Sequence, residues 1–173
     1  MAKWLVTHPE TKMDLQGRAH GELDPPLSYT GQIKLSQIAR AFKNKNVTKI
    51  HTSPRKRALE TAKAISKATG APIVIQPALI PWRLGNFSGA KVKSVRPVLD
   101  FFSARPGRSV PGGEPKISML NRYKRFRKTV GDGEVIVGHS QHVLSDDYAL
   151  CGGDPAKVPM FGDVKNGMVK EIR

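Results

Sequence analysis

Histidines at positions 8 and 139 each stand directly after a short apolar run, Lys3-Trp-Leu-Val-Thr7 in the first case and Glu134-Val-Ile-Val-Gly138 in the second. A third run, 48–52, leads into Ser53-Pro54 and then Arg57. Runs of this length and composition read as β-strands. Lying parallel, the three would bring His8, His139 and Arg57 to one edge of a sheet. Two imidazoles beside a guanidinium make an anion site with a nucleophile inside it. An imidazole of ordinary pKa, about 6.5, keeps a free lone pair at neutral pH and attacks phosphorus well. One histidine at a strand end is more simply a satisfied polar residue. Two in matching positions argue for chemistry.

The elements that would carry these residues alternate along the chain. Residues 8–27, with Gly17, Gly21, Pro25 and Pro26, read as a long loop, and a helix is expected from Ser28 with Leu35, Ile38, Ala39 and Phe42 on one face. Ser53-Pro54 reads as a capped helix start, Ala58, Ala62, Ile65 and Ala68 as a buried stripe, and Gly70 as a left-handed stop. A strand over 72–76 follows, then a Pro- and Gly-rich stretch to 115 containing one short helix near 92–102. A basic helix over 117–130 precedes the strand 134–138, a helix runs from His139 through Leu150, and a last strand covers 168–172. This alternation predicts a single α/β domain over 1–173, three layers deep, with a mostly parallel sheet and helices on both faces. Ligands of such sheets sit beyond the carboxyl ends of the strands.

At 173 residues the chain is long enough for a substantial core, and no apolar run reaches the roughly 20 residues needed to span a bilayer. The opening residues have no signal-peptide pattern, and one cysteine, Cys151, fits a reducing compartment. A cytoplasmic protein without membrane insertion is expected. The balance of 29 Lys and Arg against 14 Asp and Glu gives a net charge of +15, which draws anions of some kind.

Several blocks, in order, resemble the histidine phosphatase (phosphoglycerate-mutase-like) superfamily. Leu5-Val6-Thr7-His8-Pro9-Glu10-Thr11 is similar to the family's opening Leu-Val-Arg-His-Gly-Glu-Thr. Gly17-Arg18, Gly21, Asp24-Pro25-Pro26-Leu27-Ser28 and Gly31 continue the match, as does Ser53-Pro54-Arg55-Lys56-Arg57-Ala58-Leu59-Glu60-Thr61-Ala62. Leu84-Gly85-Asn86-Phe87-Ser88-Gly89, Pro111-Gly112-Gly113-Glu114 and Val135-Ile-Val-Gly-His139 complete it. The resemblance implies a phosphatase in which His8 becomes phosphohistidine while Arg57 and His139 grip the transferring oxygens. Phosphate contacts fall by the same resemblance on Thr7, Asp14, Arg18, Arg57 and Ser140. No cofactor is implied, and no cluster is spaced for a metal.

Four positions depart from the family pattern. Thr7 replaces an arginine, a change expected to cost about 1.5–3 kcal/mol of charge-assisted contact, with Arg18 and Arg83 as candidate substitutes. Pro9 replaces a glycine, so the turn must suit φ near −65°. Asp14 replaces a phosphate-contacting asparagine and must be either protonated or paired with a cation such as Arg18 or Lys12. Pro81 falls where the general-acid glutamate belongs, and Ser140-Gln141 lacks the carboxyl that another branch uses. Glu10, Glu114 and His142 are candidate proton donors, Glu114 foremost because a Gly-rich loop carries it.

The expected substrates are therefore phosphorylated small molecules or phosphoproteins with good leaving groups. The competing readings are a weakened or inactive relative that binds phosphorylated ligands without turnover, and polyanion contact through the basic segment 91–128. In that segment Tyr123 and Phe126 are expected to face the core. Oligomeric state is not legible.

Overall fold

The computed structural model describes residues 2–173. Five strands, β1 (Lys3–Thr7), β2 (Lys49–Thr52), β3 (Ile73–Ile75), β4 (Glu134–Gly138) and β5 (Val169–Ile172), form one sheet in the order β3-β2-β4-β1-β5. All neighbours are parallel except β5, which runs antiparallel to β1. The helices are α1 (Lys12–Leu15), α2 (Tyr29–Phe42), α3 (Lys56–Thr69), α4 (Val92–Ser103), α5 (Lys116–Arg127) and α6 (Ser140–Cys151). None is long and apolar enough to cross a membrane.

Strand side chains alternate between faces, so Trp4 and Val6 enter one core while Leu5 enters another. The first core joins Ile50, Val135 and Val137 to Ile38 and Phe42 of α2 and to Ala58, Ala62 and Ile65 of α3. The second joins Ile136 to Tyr123 and Phe126 of α5 and Ala149 of α6. The expected three-layer arrangement is present. A third cluster, built around Trp82, Leu84, Leu99, Met119 and Leu120, lies apart from the sheet cores.

The start of α3, the helix that carries Arg57, differs from expectation. It begins at Lys56, with Arg55 rather than Ser53 at the cap position and no side-chain cap of its own. Asp24 supplies the cap from a distant loop, accepting from the Lys56 amide at 3.0 and 2.9 Å. The Ser53 hydroxyl accepts from the Arg55 amide at 3.4 Å and lies 2.9 Å from His139 Nε2.

Register does the positioning. Thr7 pairs with Gly138 and Thr52 with Val137, so His8, His139 and Ser53 leave the sheet side by side. Backbone bonds from His8 to Gly138 (3.3 Å) and from Ser53 to Val137 (3.0 Å) extend the ladder by one residue on each side. Gly138 must lack a side chain, because a Cβ there would stand 2.7 Å from His142 Nδ1.

Candidate active site

A cavity of about 220 Å³ opens at this edge, and His8, Arg57 and His139 all line it. The His8 ring is held by a 2.7 Å contact between Nδ1 and the Pro9 carbonyl. A carbonyl only accepts, so Nδ1 carries the proton and Nε2 keeps the lone pair. Arg57 Nε donates to that Nε2 at 3.2 Å. Pro9 is therefore harmless here: its required atom is the carbonyl oxygen, and among the described residues only glycines take positive φ.

Arg57 is almost wholly buried and lies between the two strand-end histidines. Its Nη1 donates to Leu23 O and Asp24 Oδ1, and Nη2 lies 3.5 Å from His139 Nδ1. Because Arg57 can only donate, His139 Nδ1 accepts, and its Nε2–H points to Ser53 Oγ at 2.9 Å. Burial, with Asp24 opposing, brings the guanidinium to about 10, so it stays charged near neutrality. Burial and the Arg57 charge hold His8 and His139 well below the usual histidine range. Both imidazoles are neutral near pH 7.

A third histidine, His20, lines the same cavity, its ring centroid 5.8 Å from that of His8. Burial and Arg57 lower it to about 4. His142 is buried behind the site, where its Nδ1 accepts from the His139 amide at 3.0 Å, and burial lowers it to about 3. Since Nδ1 is an acceptor in a helix cap and the residue does not line the cavity, His142 is not placed to donate a proton to a ligand.

Four depressed histidines have a consequence for folding. The unfolded chain takes up protons from about pH 6.5 downward that the native chain refuses. Their contribution is thus complete above pH 6.5 and is lost as pH falls toward the native values, at about 1.4 kcal/mol per unit for each histidine still neutral. Urea unfolding should show stability dropping by several kcal/mol on the order of pH 6.5 to 4.5. A flat profile there would mean the imidazoles are not buried neutral.

The remaining sequence candidates fare differently. Arg18 and Ser140 line the cavity, Arg18 with Nη1 also bonded to Gly89 O at 2.7 Å and Ser140 in the first turn of α6. Asp14 lines it too, but its partners are neither Arg18 nor Lys12. Its Oδ2 accepts from the Thr11 amide and hydroxyl, both at 2.8 Å, and its Oδ1 is 3.5 Å from His20 Nε2.

Thr7, expected among the phosphate contacts, does not line the cavity. Its hydroxyl donates to Lys165 O at 3.0 Å and accepts from the Met168 amide at 2.9 Å, tying down the loop that brings Asn166 to the cavity. Glu114 is equally turned away, held bidentately by Arg122 at 2.7 and 2.8 Å and by the Arg83 amide. An engaged, ion-paired carboxylate outside the cavity has no route to a leaving group. Glu10 accepts from Ser28 and Thr30 at the start of α2, and Arg83 lines a separate surface groove with Arg122 and Arg125.

Much of the rest of the cavity wall is apolar, with Ala19, Trp82, Leu84, Val92, Met160 and Phe161, and Gln141 adds one more polar group. Gln141 fixes the Trp82 amide at 2.8 Å. Buried Lys116, brought to about 8 by burial, donates to Val158 O at 2.8 Å and so anchors the segment before Met160. Lys116 and Arg127, two cations of the segment 91–128, are buried, as are Tyr123 and Phe126. His20, Ser53, Asp24 and Asn166 escaped the sequence reading. Asp24 and Ser53 fell inside matched blocks, whereas nothing near Asn166 signals a site.

Residues 3–144 match the family model described as histidine phosphatase superfamily, branch 1. "Phosphoserine phosphatase 1" of Hydrogenobacter thermophilus is 30% identical over 168 residues, covering 91% of this chain and 80% of that protein. A probable phosphoglycerate mutase of Photorhabdus laumondii is 28% identical, covering 79% of this chain and 68% of its own. The native structure of a mycobacterial glucosyl-3-phosphoglycerate phosphatase superposes with a TM-score of 0.83 at 20% identity, over 98% of this chain and 88% of that one. With the strand-end histidines, the buried arginine and a family match over most of its length, this chain belongs to the histidine phosphatase superfamily.

Proposed function

We propose that the chain hydrolyses small phosphoryl compounds with weakly basic leaving groups, through a phosphohistidine on His8. The observation that carries this is the fixed tautomer of His8, a cavity-lining ring whose unprotonated Nε2 accepts from Arg57 Nε at 3.2 Å. Nε2 attacks phosphorus, the bond to the leaving oxygen breaks, and water later displaces the imidazole to release phosphate. In the resting site the Arg57 guanidinium faces two neutral imidazoles at 3.2 and 3.5 Å. An incoming phosphoryl group replaces these with charge-assisted bonds, which strengthen as charge spreads over its oxygens in the transition state. Arg18 and the first turn of α6 at Ser140 add positive potential.

The limits on substrate come from what the cavity lacks and how large it is. Its one carboxylate, Asp14, is bound within its own helix start, so leaving-group protonation is weak. At about 220 Å³ it falls below the usual range of roughly 300–1,000 Å³ for ligand pockets, and its apolar wall favours a leaving group with an aromatic or aliphatic body. Initial rates with a series of aryl and alkyl phosphates test the reading. We expect kcat/KM to fall at least about 10²-fold from p-nitrophenyl phosphate to an alkyl phosphate, the usual worth of missing acid catalysis. Equal rates across the series, or tight phosphate binding with no turnover at all, would overturn it.

A further inference from the structure

His20 has a defined tautomer, and the hydrogen bonds around it determine which. The Thr11 hydroxyl lies 2.8 Å from Asp14 Oδ2 and 2.8 Å from His20 Nε2. A carboxylate only accepts, so the single hydroxyl proton goes to Asp14, and Thr11 Oγ1 must accept from His20. Nε2 therefore carries the ring proton. Nδ1 keeps a lone pair and has no protein partner among the described residues, in a side chain that is 17% exposed and lines the cavity with His8. The segment bearing it is rigidly held. Ala19 exchanges backbone bonds with Gly89 and Ala90 at 2.8 and 2.9 Å, and a Cβ on Gly21 would stand 2.0 Å from Ser88 Oγ.

We propose that His20, oriented by Thr11 and Asp14, is the base that activates the water which hydrolyses the phosphohistidine. The inference rests on the phosphatase reading above. In the step, His20 Nδ1 takes a proton from water as the water oxygen bonds to phosphorus. The bond from phosphorus to His8 Nε2 breaks with its electron pair returning to that nitrogen, and the proton leaves with inorganic phosphate. A neutral resting imidazole is the form this role requires. Asp14 is committed to the same arrangement: its Oδ2 accepts from the Thr11 amide and hydroxyl, and its Oδ1 lies 3.5 Å from the protonated His20 Nε2. It is a positioning residue, acting through Thr11 on the His20 tautomer.

Rapid mixing of the full chain with p-nitrophenyl phosphate separates the two half-reactions, since release of p-nitrophenol reports phosphorylation and the steady state reports hydrolysis. For His20→Gln we expect a burst of about one p-nitrophenol per protein, then a steady state slower by roughly 10²–10⁴-fold. Label from a ³²P-substrate should accumulate as acid-labile, base-stable phosphohistidine. Asp14→Asn, which keeps an acceptor for the helix cap, should retain the burst with a smaller slowing. Two results would sink the role of His20: a wild-type steady state in His20→Gln, or burst and steady state lost in equal proportion while Asp14→Asn behaves as wild type. If the unaltered protein never forms a phosphoenzyme, the phosphatase reading itself fails.

Discussion

His8→Ala is expected to lower turnover of p-nitrophenyl phosphate by at least about 10⁴-fold and to abolish labelling of the protein by ³²P-substrate. Water in place of Nε2 has neither the nucleophilicity nor the fixed approach of an imidazole held from behind by the Pro9 carbonyl. Phosphate affinity should change far less, because Arg57 and His139 remain and Arg57 loses only a neutral acceptor. A Kd for phosphate within a few-fold of the original, measured by calorimetry, alongside lost turnover would separate nucleophile from binding group. Retention of a tenth of the activity would exclude His8 as the covalent centre.

The largest stability effect is expected away from the cavity. Asp146 on α6 is buried, with Oδ1 accepting from Tyr123 Oη at 2.6 Å and from Arg127 Nε at 2.7 Å, both on α5. Arg127 also donates to the Arg173 carbonyl, so this cluster ties α5, α6 and the end of the chain together. Burial and the Asp146 charge hold the Tyr123 hydroxyl well above its usual range, so it stays a neutral donor. Asp146→Ala leaves a buried guanidinium uncompensated, which costs about 3–5 kcal/mol and should lower Tm by roughly 10 °C. The double change Asp146→Leu with Arg127→Met should recover much of that loss, because the penalty lies in the orphaned charge. Thermal unfolding of both variants beside the unaltered chain decides it; a loss below about 1 kcal/mol for Asp146→Ala would show that the pair is solvated.

Much of the frame was legible because the signals are local and repeated. The five strands and the long helices follow from apolar runs and helical stripes, and the pairing of Thr7 with Gly138 makes the two histidines neighbours as their matching positions implied. Three readings changed for one cause: the role of a polar side chain depends on what another part of the chain brings to it. Thr7, read as a phosphate contact, meets the 165–168 loop; Glu114, read as a proton donor, meets Arg122; Ser53, read as a helix cap, meets His139.

By itself the sequence determined the strand ends that carry His8 and His139, the helix that carries Arg57, and the anionic character of the ligand. The tertiary structure alone decided how protons and charges are shared among them: which nitrogen of His8 carries the proton, that Asp14 is linked to His20 through Thr11, and that Asp24 both caps α3 and steadies Arg57. Hydrophobic periodicity is written along a few neighbouring residues, whereas hydrogen-bond direction and desolvation arise only when remote groups meet in a folded, largely buried site.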